Sequence, residues 1–99
     1  MNELSGKVVI VTGAAGNLGQ AVAQALGRAG AQRVLADRSS DRLAKLYPTT
    51  GAEPLLIGDT DFTREEAVAQ MVKTALGRFG RIDALVNTIG GFTGGKPVH

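Results

Sequence analysis

The feature that most constrains this chain is an abrupt change of pattern in its first thirty residues. A β-branched run, Val8, Val9, Ile10 and Val11, stops at Thr12-Gly13-Ala14-Ala15-Gly16-Asn17-Leu18-Gly19, and a helical periodicity starts at once. The run predicts a buried strand over Lys7–Thr12. Behind the glycines, Leu18, Val22, Ala25, Leu26 and Ala29 recur at helical spacing, and Gly30 stands where a C-terminal cap is expected.

The same alternation continues along the chain. Arg33–Asp37 reads as a second strand, and Ser39 or Ser40 caps a short helix through Tyr47 that Pro48 ends. Pro54–Gly58 makes a third strand. Thr63-Arg64-Glu65-Glu66 spells a capping box, and Val68, Met71, Val72, Ala75, Leu76 and Phe79 form one apolar stripe behind it, closed by Gly80. Ile82–Val86 is a fourth strand, followed by a flexible tail over Gly90–Gly95. The order βαβαβαβ calls for an α/β fold, a Rossmann-like doubly wound parallel sheet with strand order 3-2-1-4. The fourth strand is then left at an edge. A sheet of this kind normally continues past it, so the expectation is a single, partial domain over residues 1–99.

Composition removes several classes of function. With no cysteine there is no thiol nucleophile, disulfide or thiolate metal site, and the carboxylates are not clustered with a second ligand type, so no metal is expected. The net charge of +2 comes from scattered basic residues, and four aromatics without a basic stripe argue against nucleic acid. No apolar run is long enough to span a membrane. The opening Met-Asn-Glu-Leu-Ser-Gly-Lys lacks the basic and apolar regions of a signal peptide, so a cytoplasmic protein is expected.

The glycine cluster lies between the first strand and the first helix, where this fold type binds the pyrophosphate of a dinucleotide. Glycine allows a sharp turn and close approach, and the unpaired amides and dipole of the helix start favour an anion. Asp37 ends the second strand eighteen residues after Gly19, near the spacing at which a carboxylate meets the adenosine ribose. A carboxylate accepts from the diol and repels a 2′-phosphate, which favours NAD over NADP. Arg38 follows directly and is the alternative partner of a 2′-phosphate.

At these residues the chain resembles the short-chain dehydrogenase/reductase family along essentially its whole length. Leu4-Ser5-Gly6-Lys7-Val8-Val9-Ile10-Val11-Thr12-Gly13 looks like that family's opening, and Phe79-Gly80-Arg81-Ile82-Asp83-Ala84-Leu85-Val86-Asn87 like its fourth strand and the approach to it. The resemblance implies Gly13, Leu18 and Gly19 at the pyrophosphate, with Gly16 and Asn17 in the same loop, and Asp37 at the ribose. It implies Asp61 at the adenine, with the backbone of Phe62 lining that pocket and Asp59 the second candidate. Asn87-Thr88-Ile89-Gly90 matches the family's Asn-Asn-Ala-Gly at its first and last positions, so Asn87 would brace the sheet, and Thr88, Ile89 and Gly90 would border the nicotinamide ribose. Asn17 stands where the commonest family loop, Thr-Gly-x-x-x-Gly-x-Gly, has glycine. Gly13, Gly16 and Gly19 also fit Thr-Gly-x-x-Gly-x-x-Gly, the spacing of the extended branch that includes sugar-nucleotide epimerases and dehydratases.

The family's chemistry would be hydride transfer between NAD and a carbonyl or secondary alcohol, performed with a Ser and a Tyr-x-x-x-Lys beyond the fourth strand. Neither is available here: the one tyrosine, Tyr47, has Gly51 four residues on. No catalytic residue is assigned, and the chain is expected to be the front part of such an enzyme, truncated before its catalytic segment. A non-catalytic dinucleotide-binding or interaction module is the alternative. Half a doubly wound sheet also predicts association, with a homo-oligomer as the expected state. Gly90-Gly91-Phe92-Thr93-Gly94-Gly95-Lys96-Pro97 nearly spells a P-loop, but Pro97 lacks the hydroxyl that magnesium requires. His99, the single histidine, has no neighbour in sequence to orient it.

Overall fold

A computed structural model describes residues 3–48, 51 and 53–89. It contains β1 (Val8–Thr12), α1 (Asn17–Arg28), β2 (Gln32–Ala36), α2 (Ser40–Leu46), β3 (Leu55–Ile57), α3 (Glu65–Phe79) and β4 (Ala84–Asn87). The four strands form one parallel sheet in the order β3-β2-β1-β4, the order expected from right-handed crossovers. The expected tail, the P-loop-like run and His99 lie outside the described residues.

Side chains alternate across the sheet, and each face of β1 builds its own core. Val9 and Val11 pack with Leu35 against Ala23 of α1 and Leu43 and Tyr47 at α2. Val8 and Ile10 pack with Val34 and Ala36 against Met71 and Ala75 of α3. Every residue of β1 is buried, which is why its sequence is continuously apolar rather than alternating.

Left-handed glycines end two of the helices. Gly30 (φ 89°) follows the C-cap Ala29 of α1, and Gly80 (φ 79°) caps α3, donating its N–H to the Leu76 carbonyl at 2.8 Å. Ser39 proves to be the cap of α2, its hydroxyl accepting from the Arg42 amide at 3.2 Å.

Four expectations need correction. The capping box of α3 does not form: the helix starts at Glu65, with Arg64 as N-cap and no side-chain cap. Thr63 instead gives both its amide (3.0 Å) and its hydroxyl (2.6 Å) to Asp61 Oδ1, so its side chain serves as a donor in the Asp61 turn and not as an acceptor for the first amides of α3. Leu76 belongs to the sequence stripe but is 44% exposed, because it falls at the margin of the face centred on Met71 and Ala75. On α1, Leu18 and Ala25 are exposed, whereas Ala23 and Gly19 face the sheet. The last strand begins at Ala84 rather than Ile82 and includes Asn87. No helix among the described residues is long and apolar enough to cross a membrane.

Candidate dinucleotide site

In register, Thr12 stands between Ala36 and Asn87, and Ala36 pairs onward with Ile57. The residues that follow these four positions therefore emerge along one edge of the sheet. They are the glycine loop, Asp37–Ser39, Gly58–Asp61 and Thr88–Ile89. Ligands of open α/β sheets bind outside this carboxyl edge.

The loop is shaped by two glycines above all. Gly13 is left-handed (φ 76°), and a Cβ there would come within 2.8 Å of Thr88 Oγ1. A Cβ on Gly19 would overlap the Gly13 carbonyl, so the first turn of α1 lies directly on the loop. Three successive amides of the loop are engaged within the protein. Ala14 N donates to Ala36 O (3.1 Å), Ala15 N to Asp37 Oδ1 (3.0 Å) and Gly16 N to Gly13 O (3.0 Å). The next three, on Asn17, Leu18 and Gly19, find no acceptor among the described residues, and the helical ladder begins only with Gln20 N to Gly16 O at 2.9 Å. No side chain caps α1, and no acidic residue lies in its first turn. By contrast, α2 has the Ser39 cap and Asp41, and α3 begins with Glu65 and Glu66. Three unpaired N–H donors in the first turn of a helix that carries no acidic side chain there fit an anionic group.

Asp37 is half-buried beside this loop. Its two oxygens accept one amide each, from Ala15 and Ser39, both at 3.0 Å, which leaves each oxygen further acceptor capacity. Arg38 is exposed next to it. Asp61 caps its own turn through Thr63, and those bonds hold its carboxyl below the usual carboxylate range, with Arg38 and Arg64 adding to the effect. The Phe62 side chain packs into the core on the α3 face. Asp59 adopts a left-handed backbone (φ 54°), and its Oδ1 accepts from the Ser40 hydroxyl at 3.3 Å.

On the other side of the loop, Asn87 Oδ1 accepts from the Thr12 hydroxyl (2.8 Å) and the Ile89 amide (3.1 Å). The Thr88 hydroxyl lies 2.8 Å from the Thr12 carbonyl and 3.2 Å from that of Gly13, while its amide donates to the Thr12 carbonyl at 3.1 Å. Thr88, a departure from the family pattern, thereby ties β4 to the loop. Gly90 lies outside the described residues.

Three further side chains hold the loop and were not foreseen from sequence. Tyr47 donates its buried hydroxyl to the Ala14 carbonyl at 2.7 Å. Arg42 Nη2 and Gln20 Nε2 both donate to the Ala15 carbonyl, at 2.7 and 3.1 Å. No motif marks Tyr47 and Arg42, because their contacts depend on where α2 lies over the loop.

Comparison with known proteins gives a consistent picture. Residues 7–99 match the family described as short chain dehydrogenase. An uncharacterized oxidoreductase of Staphylococcus saprophyticus is 39% identical over 90 residues, covering 91% of this chain and 37% of the relative. A 3-ketoacyl-(acyl-carrier-protein) reductase from Brucella melitensis, solved in complex with NADH, superposes with a TM-score of 0.71 at 30% identity, covering 83% of this chain and 34% of that one. The C-domain of a bacterial malonyl-CoA reductase, solved with NADP, gives a TM-score of 0.81 at 27% identity, over 90% of this chain and 15% of that one. The chain thus spans little more than a third of the curated relative it matches.

Proposed function

This chain belongs to the short-chain dehydrogenase family, and from that premise we propose that it forms the NAD-binding part of an oxidoreductase acting on a carbonyl or a secondary alcohol. The observation that carries the proposal is the uncapped start of α1, whose three free amides lie beside the Asp37 carboxylate on one sheet edge. In this reading the amides of Asn17, Leu18 and Gly19 hold the pyrophosphate, and Gly13 and Gly16 let it approach. Asp37 accepts from the ribose diol. Asp61 accepts from the adenine amine, with the Phe62 backbone beside it, and Asn87, Thr88, Ile89 and Gly90 border the nicotinamide ribose.

When bound, the nicotinamide supplies or receives the hydride. The share of these 99 residues is to bind and orient, since they include no Tyr-x-x-x-Lys. Similar structures hold NADH in one case and NADP in another; here the Asp37 carboxylate favours the unphosphorylated ribose.

Calorimetric titration tests both levels of the proposal. AMP should bind at least about tenfold more tightly than its 2′-phosphorylated form, the effect of bringing a phosphate against a carboxylate. Equal or reversed affinities would remove Asp37 from this role, and absence of binding to either nucleotide would overturn the site.

A further inference from the structure

One peptide unit of the glycine loop is gripped from both sides. The Ala14 carbonyl accepts from the Tyr47 hydroxyl at 2.7 Å, and the N–H of the same peptide, on Ala15, donates to Asp37 Oδ1 at 3.0 Å. The carbonyl and N–H of a trans peptide point in opposite directions within one rigid plane, so fixing either end aims the other. The following peptide is fixed as well, because Arg42 holds the Ala15 carbonyl at 2.7 Å. Ala14 and Ala15 are fully buried, and Tyr47 is 8% exposed, so water does not substitute readily for the Tyr47 bond.

We propose that Tyr47 and Arg42 are positioning residues for ribose recognition, holding the two peptides that flank Ala15 and thereby fixing the Asp37 carboxylate toward the adenosine diol. The inference rests on the ribose role proposed for Asp37. It makes α2 and its C-cap a determinant of nucleotide selectivity. Of the two residues, Tyr47 has the larger effect. It is the only side chain on the Ala14 carbonyl among the described residues, whereas Gln20 also supports the Ala15 carbonyl at 3.1 Å.

The test compares AMP with 2′-deoxy-AMP on the 99-residue chain by calorimetry. The ratio of their dissociation constants isolates the 2′-hydroxyl and cancels the shared phosphate and base. A bond to a carboxylate predicts a ratio of at least about tenfold for the unaltered protein. Tyr47→Phe, which keeps the ring, should reduce it to about threefold or less, and this effect should vanish in an Asp37→Ala background. A general loss of stability would weaken both nucleotides and leave the ratio unchanged.

Should Tyr47→Phe fail to show a cooperative melt, Arg42→Met decides, since Arg42 is exposed and its replacement keeps the aliphatic stem. A reduced ratio in that variant supports the inference. An unchanged ratio in a folded Tyr47→Phe, or in Arg42→Met where that is the deciding variant, overturns it. If the unaltered protein itself gives a ratio near one, the ribose role of Asp37 falls first, and the positioning role falls with it.

Discussion

Gly19 and Gly77 are both helical, and a methyl group should have opposite effects at the two sites. At Gly19 it would overlap the Gly13 carbonyl, whereas at Gly77, on the exposed side of α3, nothing lies within 4 Å. Gly19→Ala is therefore expected to lower stability by about 1–3 kcal/mol, as overpacking against a fixed backbone does, and to abolish nucleotide binding. Gly77→Ala should raise stability by roughly 0.5–1 kcal/mol, because it restricts the unfolded chain and improves helix propensity. Urea unfolding of the two variants checks both signs. The place of Gly19 in the loop was legible in its spacing, and so was that of Asp37 directly after the second strand. The loop contacts of Tyr47 and Arg42 were not, because neither residue type nor position reveals which carbonyl a helix-borne donor will meet after folding.

At the level of elements, β4 is fastened to β1 at both of its ends. Near its start, the Asp83 carboxylate accepts from Arg81 at 2.7 Å and from the Val8 amide at 2.8 Å. The Arg81 hydrogen bond first, and the Val8 amide second, hold its carboxyl below the usual carboxylate range. A depressed folded-state pKa gives stability that is fully present above the unfolded value, about pH 4, and is lost as pH falls through the folded value. Asp83→Asn should therefore lose less stability than the unaltered protein when the urea midpoint is compared at pH 7 and pH 3. An equal loss in both would show that this tie does not contribute. The elements themselves were readable from period and punctuation, with ends displaced by one or two residues. The capping box on α3 misled because Asp61, only two residues ahead, draws the Thr63 side chain into its own turn, and no side chain caps the helix.

Considered as a whole, the molecule has one core on each face of the sheet and one weakly covered side. β4 pairs with β1 alone among the described residues, with Leu85 on it 49% exposed and Leu76 of α3 44% exposed. An open strand edge beside exposed apolar side chains favours association. Sedimentation over a dilution series should show concentration-dependent self-association that Leu85→Lys weakens. A chain that stays monomeric throughout would mean that this edge is protected in another way. The strand order was accessible beforehand, because short right-handed crossovers leave few arrangements for four parallel strands.

The alternation of strand and helix, the parallel order and the position of the glycine loop could all be read from the residues in order. These follow from hydrophobic period and from backbone conformations that only glycine adopts readily, both local properties of the chain. Tertiary structure alone decided how the loop is held. Which carbonyls Tyr47, Arg42 and Thr88 engage depends on contacts between segments distant in sequence. Hydrogen bonding is directional, and its partners are fixed only once packing has set the distances.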